Sequence, residues 1–219
     1  DVVVVDRNCH KSIEQGLMLT GAKPVYMVPS RNRYGIIGPI YPQEMQPETL
    51  QKKISESPLT KDKAGQKPSY CVVTNCTYDG VCYNAKEAQD LLEKTSDRLH
   101  FDEAWYGYAR FNPIYADHYA MRGEPGDHNG PTVFATHSTH KLLNALSQAS
   151  YIHVREGRGA INFSRFNQAY MMHATTSPLY AICASNDVAV SMMDGNSGLS
   201  LTQEVIDEAV DFRQAMARL

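Results

Sequence analysis

Several features that would assign this chain to a class at once are scarce in its sequence. No apolar run approaches the roughly 20 residues that a membrane-spanning helix needs. Basic residues are scattered and the formal net charge is −3, which leaves no cationic patch for a phosphate backbone. The sequence therefore predicts neither a membrane protein nor a nucleic-acid partner.

Paired cysteines are also missing. The five cysteines are odd in number and form no CxxC motif, so a zinc site or a disulfide framework is disfavoured. The sequence predicts reduced and mostly buried thiols. Such thiols favour a cytoplasmic protein.

The sequence does contain enough apolar residues to form a hydrophobic core. Of its 219 residues, 42% are apolar and 21% are charged, which predicts one large domain. The chain starts inside the apolar run DVVVVD and stops on a helical pattern at Leu219. These two ends indicate a segment of a longer protein.

Apolar strands alternate with helical patterns along the chain. This alternation predicts an α/β domain with a mostly parallel sheet and helices on both faces. Segment 105–131, rich in aromatic residues, Gly and Pro, is too long for a simple connection and is predicted to be a binding or interface loop. Strands are predicted at 2–5, 23–28, 70–74, 99–101, 133–135 and 151–154. Helices are predicted at 12–19, 48–57, 84–94 and 178–193, followed by a last helix. The predicted caps are Ser12 for the first helix, Asn84 for the third, and Ser200 or Thr202 for the last.

Polar clusters follow four of the predicted strands, at 6–10, 75–79, 102–103 and 137–141. Because the carboxyl ends of parallel strands share one edge of a sheet, these clusters are predicted to converge on one crevice. The convergence of these polar clusters does not by itself identify a reaction.

Lys141 lies at the end of such a strand, in the stretch TVFATHSTHKLLN. A lysine there is often only a surface residue, but the apolar residues after it predict partial desolvation. Desolvation lowers the pKa of an amine and makes it nucleophilic. We therefore hypothesise that Lys141 forms a Schiff base with an anionic aldehyde cofactor.

Two further residues fit a heterocyclic cofactor. Asp102 directly follows a buried strand, where it could cap a helix, bind a metal, or keep a pyridine nitrogen protonated so that the ring acts as an electron sink. His10 could hydrogen-bond near a helix start, or stack its imidazole on an aromatic ring.

His137 and His140 have HxxH spacing without an HExxH motif or a third acidic ligand, so a zinc site is disfavoured. Ser138 and His140 are better interpreted as hydrogen-bond donors to a phosphate group.

Five motifs follow one another along the chain. They are VVDRNCHKS (4–12), TNCTYDGVCYN (74–84), FDEAWYGY (101–108), THSTHKLLNALSQAS (136–150) and AYMMHATTSP (169–178). Taken together and in this order, they resemble the pyridoxal-phosphate-dependent, inducible bacterial ornithine/lysine/arginine decarboxylases. The similarity covers the whole chain, and segment 101–128 looks most like the acid-inducible, biodegradative arginine branch.

The resemblance implies a role for each candidate site residue. Lys141 matches the lysine that binds pyridoxal phosphate, Asp102 matches the partner of the pyridinium nitrogen, and His10 matches the histidine stacked over the ring. The remaining matches are Ser138 and His140 at the phosphate or active site, Trp105 near the cofactor, and Thr175 toward the phosphate of a neighbouring subunit.

The resemblance also implies the fold and the assembly. The fold is the large domain of the aspartate-aminotransferase type, fold type I of the pyridoxal-phosphate-dependent transferases. Residues 1–219 would be a segment of that domain, with the N-terminal wing and the C-terminal small domain outside it. The family builds dimers that assemble into decamers.

The implied reaction is decarboxylation of L-arginine to agmatine and carbon dioxide, with Lys141 or His140 returning a proton to Cα. Each turnover consumes a proton, which would support acid resistance. Three alternatives stay open: a lysine or ornithine decarboxylase of the same family, a non-catalytic assembly or regulatory module, and a metal hydrolase using His137 and His140.

Overall fold

A six-stranded sheet forms the centre of the computed structural model, which describes the backbone of residues 1–219 and every side chain except that of residue 125. Its strand order is β2-β1-β3-β4-β5-β6, with β1 to β5 parallel and β6 antiparallel to β5. The prediction of a mostly parallel sheet is confirmed. The strands are β1 Val2–Asp6, β2 Lys23–Met27, β3 Tyr70–Thr74, β4 Arg98–Asp102, β5 Thr132–His137 and β6 Tyr151–Arg155.

Helices connect and cover the strands. Short 3-10 helices lie in the connections, at Pro42–Met45, Lys61–Lys63, Ala109–Phe111 and Pro113–Tyr115. The α-helices are α1 Lys11–Thr20, α2 Pro47–Glu56, α3 Ala85–Leu92, α4 Thr139–Leu142, α5 Phe163–His173, α6 Tyr180–Met193 and α7 Gly195–Met216.

The two faces of the sheet pack against different helices. All five residues of β1 are buried, as expected for a strand covered on both sides. On one face, Val4 and Val73 belong to the same core cluster as Leu50 of α2 and Leu92 of α3. On the other face, Val3, Val5 and Val72 pack against Ile13 and Leu17 of α1. Helices on both faces are therefore confirmed.

Helix starts differ from the prediction in two places. His10, not Ser12, caps α1, and its Nδ1 accepts a hydrogen bond from the Ser12 backbone N at 3.3 Å. Helix α7 begins at Gly195 rather than near Ser200, and Thr202 Oγ1 instead donates to the Gly198 carbonyl at 2.8 Å inside the helix. The cap predicted at Asn84 is confirmed, since its Oδ1 accepts from Glu87 N at 3.0 Å.

Helix α5 was not predicted, because none of its residues is buried in this chain and the apolar spacing there is weak. The local signal was its cap: Asn162 Oδ1 accepts from Arg165 N at 3.0 Å. Strand β5 also continues to His137, two residues beyond its predicted end.

The cysteines are less buried than predicted. All five are free thiols, but Cys71 alone is buried, Cys9 and Cys76 are partly exposed, and Cys82 and Cys183 are exposed. The prediction of mostly buried thiols is wrong, because four of the five lie in loops or helices at the surface of the sheet layers. Across the described chain, every helix is too short or too polar to cross a bilayer.

Candidate active site

A cleft of about 430 Å³ lies at the carboxyl ends of four parallel strands. All four polar clusters singled out in the sequence contribute to its walls, so the predicted convergence is confirmed. The contributions include Asn8 and His10 after β1, Cys76 and Tyr78 after β3, Asp102 and Trp105 at the end of β4, and His137, Ser138 and Lys141 at the end of β5.

Five of the seven predicted site residues line this cleft together. They are Lys141, Asp102, His10, Ser138 and Trp105. They come from three separate parts of the chain, and the sheet topology alone brings them together.

His140 and Thr175 lie outside the cleft in this chain. The His140 side chain is exposed, and its Nδ1 is 2.8 Å from the Ala149 carbonyl oxygen. His140 and Lys141 point about 100° apart around the helical turn, and of the two only Lys141 lines the cleft. Thr175 is exposed, and its Oγ1 accepts from Ser177 N at 3.1 Å in a local turn.

Lys141 extends from the single turn of α4. Its Nζ lies 4.6 Å from the centroid of the Trp105 ring, a cation–π contact. Tyr78 packs edge-on against that ring at 5.6 Å. Among the described residues, no carboxylate forms a salt bridge with Lys141, so its amine is held by an aromatic face rather than neutralised by an acid.

Asp102 is the last residue of β4 and is only 9% exposed. Its Oδ1 accepts hydrogen bonds from Ala104 N at 3.3 Å and from Thr136 Oγ1 at 3.2 Å. Within the described structure Oδ2 makes no hydrogen bond and no cationic side chain pairs with the carboxylate. A buried carboxylate of this kind is stabilised by a cationic N–H group entering the cleft.

His100 supports Asp102 through Thr136. His100 Nε2 lies 3.1 Å from Thr136 Oγ1, and since that hydroxyl donates to Asp102, Nε2 is the nitrogen that carries hydrogen. Burial lowers the pKa of His100 to about 4, although the nearby Asp102 acts in the opposite direction. His100 is therefore neutral near pH 7 and does not cancel the charge of Asp102. It lies two residues before Asp102, on the same face of the strand, which was the signal in the sequence.

The lowered pKa of His100 predicts a pH-dependent loss of stability. In the unfolded chain histidine binds its proton below about pH 6.5, so between that pH and about 4 the unfolded state binds more protons than the folded state. The free energy of unfolding should therefore fall as pH is lowered through this window, by roughly 3 kcal/mol.

The measurement is urea unfolding of the full-length protein and of its His100→Gln variant at several pH values. The variant lacks this titration, so its stability relative to wild type should improve as the pH drops from 6.5 to 4. A stability difference that stays constant with pH would contradict the buried neutral histidine.

Glu103 was given no role in the sequence, yet it is fully buried beside the cleft. Its Oε1 accepts from Asn75 Nδ2 at 2.9 Å and from Ala120 N at 2.8 Å. Its Oε2 is 3.1 Å from Nε2 of His137, which lines the cleft. Glu103 therefore fixes the orientation of the His137 ring.

In the described structure His137 and His140 do not form the metal site of the hydrolase hypothesis. His137 pairs with Glu103 while His140 bonds the Ala149 carbonyl, so the two imidazoles serve different partners. Across the described side chains, no three histidine, cysteine or acidic residues are grouped as metal ligands.

The cleft fits pyridoxal phosphate on the chemistry of its donors. The Lys141 amine suits an aldehyde carbon, and the open Oδ2 of Asp102 suits a protonated pyridine nitrogen. The rings of His10 and Trp105 and the hydroxyl of Ser138 line the same cavity. Together these side chains provide partners for the aldehyde, the ring nitrogen, the ring and the phosphate of the cofactor.

The whole chain, residues 1–219, matches the family described as Orn/Lys/Arg decarboxylase, major domain. The chain belongs to this family. Membership confirms the prediction of pyridoxal phosphate as the cofactor.

Relatives in the family are named for lysine and ornithine. The chain is 51% identical over 220 residues to the lysine decarboxylase LdcA of Pseudomonas aeruginosa and 44% identical over 219 residues to the inducible lysine decarboxylase of Escherichia coli. It is 36% identical over 222 residues to the constitutive ornithine decarboxylase of Escherichia coli. The matches cover 99 to 100% of this chain, which spans 29% of the two lysine enzymes and 31% of the ornithine enzyme.

Solved structures confirm the fold. The Francisella novicida lysine decarboxylase LdcF superposes with a TM-score of 0.89 at 44% identity, over 100% of this chain and 29% of its own. A pyridoxal-phosphate-bound putative aminotransferase from Clostridium difficile superposes with a TM-score of 0.56 at 11% identity, over 97% of this chain and 49% of its own. The second likeness concerns the fold alone, which is fold type I of the pyridoxal-phosphate-dependent enzymes, as predicted.

Proposed function

We propose that the full-length protein decarboxylates L-lysine to the corresponding diamine and carbon dioxide. The observation that carries the proposal is the presence of Lys141 and Asp102 on the walls of one cleft. The relatives at 44 and 51% identity are lysine decarboxylases. They favour the lysine alternative over the arginine decarboxylase expected from segment 101–128.

Each cleft residue has a proposed task. Lys141 holds the aldehyde carbon of the cofactor through Nζ, and Asp102 Oδ2 holds the proton on the ring nitrogen. His10 packs against the ring, and Ser138 donates to the phosphate. When bound, the cofactor supplies the electron sink for the electron pair left on Cα as carbon dioxide departs.

The proton that replaces the carboxylate comes from Lys141 in this proposal. Lys141 Nζ lies in the cleft, whereas the His140 imidazole is outside it and bonded to a backbone carbonyl. His140 is therefore proposed to position the α4 turn through Ala149 rather than to transfer a proton. Thr175 remains a proposed contact to the phosphate of a neighbouring subunit.

Substrate preference is tested by measuring turnover of lysine, ornithine and arginine side by side with the full-length protein. We expect kcat/KM for lysine to exceed that for ornithine by about 10- to 200-fold, the range for one methylene group in a fitted pocket. A preference for arginine would restore the sequence-based prediction. Absence of carbon dioxide release from all three, with no cofactor absorbance band, would favour the non-catalytic module.

We also propose that the full-length protein is a cytoplasmic homo-oligomer. Large apolar side chains on α5 to α7 are exposed in the single chain, including Phe163, Met172, Tyr180, Val205 and Phe212, and a partner surface would cover them. The decamer and a role in acid resistance through proton consumption are proposals that rest on the family resemblance.

A further inference from the structure

Two cysteines face each other across the loop that joins β3 to α3. Inside this loop, Thr77 N donates to the Val81 carbonyl at 3.0 Å, and Val81 N donates to Thr77 Oγ1 at 3.1 Å. These bonds set Thr77 opposite Val81, so Cys76 and Cys82 are the next opposed pair. In an antiparallel ladder, directly opposed residues have Cα atoms about 4.5 to 5.5 Å apart, which falls within the range of about 4.4 to 6.8 Å that disulfides use.

The two thiols differ in reactivity. Cys82 is exposed, and the neighbouring Cys76 thiol and Tyr106 hydroxyl lower its pKa to about 7. The neighbouring Cys82, together with burial, raises the pKa of Cys76. Each thiol donates to a backbone carbonyl of its own loop, Cys76 to Thr77 at 3.4 Å and Cys82 to Gly80 at 3.7 Å. Cys82 is thus about half ionised at neutral pH, whereas Cys76 stays a thiol.

The thiols of Cys9 and Cys71 lack this arrangement. Burial raises the pKa of Cys9 to about 11 and that of Cys71 to about 12. A thiol with a raised pKa is a poor nucleophile because little of it is ionised. An exposed, partly ionised thiol with a second thiol beside it is the arrangement in which oxidation proceeds to a disulfide rather than to higher oxides.

The pair is also connected to the cleft. Cys76 lines it, and Tyr78, which lies between the two cysteines, lines it as well. Tyr78 packs on Trp105 at 5.6 Å, and Trp105 holds the Lys141 amine at 4.6 Å. A covalent bond that closes the Cys76 to Cys82 loop would therefore act on the aromatic contact next to Lys141.

We propose that Cys76 and Cys82 form a thiol modification site at the rim of the cleft, where a hydroperoxide converts the pair into a disulfide. This site is separate from the decarboxylation chemistry and does not depend on the proposed substrate.

The reaction balances with hydrogen peroxide as the oxidant. The Cys82 thiolate attacks one peroxide oxygen, the S–O bond forms, the O–O bond breaks, and the leaving oxygen departs as hydroxide. The Cys76 sulfur then attacks the Cys82 sulfur, the S–S bond forms and the S–O bond breaks. The Cys76 proton and one further proton from solvent complete two water molecules. The two sulfurs together lose two electrons, and the peroxide gains them.

The experiment uses the full-length protein with its cofactor, treated with a small excess of hydrogen peroxide. Free and oxidised thiols are then labelled with light and heavy alkylating reagents and assigned by peptide mass spectrometry. We expect a peptide joining Cys76 to Cys82, lighter than the reduced peptide by two hydrogen atoms. A larger fraction of Cys82 is ionised, but a thiolate of lower pKa is a weaker nucleophile. Taking both effects together, Cys82 should react about threefold faster than an exposed thiol of ordinary pKa.

Three variants make the assignment specific. Cys76→Ser should leave Cys82 as a sulfenic acid that dimedone traps, because no resolving thiol remains. Cys82→Ser should abolish oxidation of Cys76. Cys183→Ser removes an exposed cysteine that is outside the cleft lining and should still form the disulfide at the wild-type rate.

Differential labelling of the wild-type protein needs no variant, so a variant that fails to fold leaves the test intact. Oxidation of Cys82 to sulfinic or sulfonic acid while Cys76 stays reduced would overturn the proposal. So would a protein in which both thiols stay free after Cys183 has reacted.

Discussion

Replacing Lys141 with alanine in the full-length protein is expected to abolish covalent attachment of pyridoxal phosphate and to lower kcat by at least about 10⁴-fold, since the nucleophile and a proton-transfer group are lost together. The amine is in the cleft, against the Trp105 ring, with no acid neutralising it among the described residues. Borohydride reduction followed by peptide mass spectrometry measures the attachment, and carbon dioxide release measures the rate.

Two companion variants separate the nucleophile from its charge. Lys141→Arg keeps a cation that can stack on Trp105 but cannot replace the amine, so it should be as inactive as the alanine variant. Lys11→Ala removes an exposed lysine outside the cleft lining and should retain activity. Reduced cofactor still attached to the chain of Lys141→Ala would contradict the proposed role.

Exchanging Asp102 for asparagine is expected to give the second largest loss, about 10²- to 10³-fold in kcat. Asparagine Oδ1 can still accept from Ala104 N and Thr136 Oγ1, so the local geometry should persist. The amide cannot hold a positive charge on a ring nitrogen, so the electron sink weakens. Carbon dioxide release and the absorbance of the bound cofactor are the measurements.

A matched control lies at the other end of the same strand. Asp97 precedes β4 and pairs with Lys67 at 2.7 Å and with Arg158 at 3.4 Å, away from the cleft. Asp97→Asn should keep the wild-type kcat, apart from a small stability loss of about 1 kcal/mol or less for such partly exposed pairs. Equal losses of activity in both variants would show that Asp102 acts through general stability rather than through the cofactor.

Local sequence determined most of the secondary structure of the sheet layer. Strand β3 was predicted within its observed bounds, because its apolar run stands between clear polar boundaries. Helix α5 was missed because none of its residues is buried in this chain. Helix α7 was predicted from its apolar spacing but was started late, because its first residues, Gly195 to Gly198, are small or polar and carry no such spacing.

The prediction of the site divides in the same way. Strand-end clusters identified Lys141 and Asp102 as neighbours, and the family motifs proposed their partners. Thr136 and His100, which hold the Asp102 carboxylate, and Glu103, which orients His137, were given no role. The contacts join residues that are 34 to 36 positions apart in sequence, so local spacing can place His100 on the same face as Asp102 but cannot predict the bonds through Thr136 and His137.

By itself the sequence determined the α/β class, the strand ends that meet at one edge, and the family, because each follows from local pattern or from motifs in order. Tertiary structure alone decided which side chains enter the cleft. The His140 side chain bonds the Ala149 carbonyl, whereas Lys141 lines the cleft. The register of β4 and β5 pairs Thr136 with Asp102. The tertiary structure also bonded Thr77 to Val81 across the loop that carries Cys76 and Cys82. The direction of a side chain depends on backbone geometry and on neighbours from distant segments, and local sequence patterns specify neither of these.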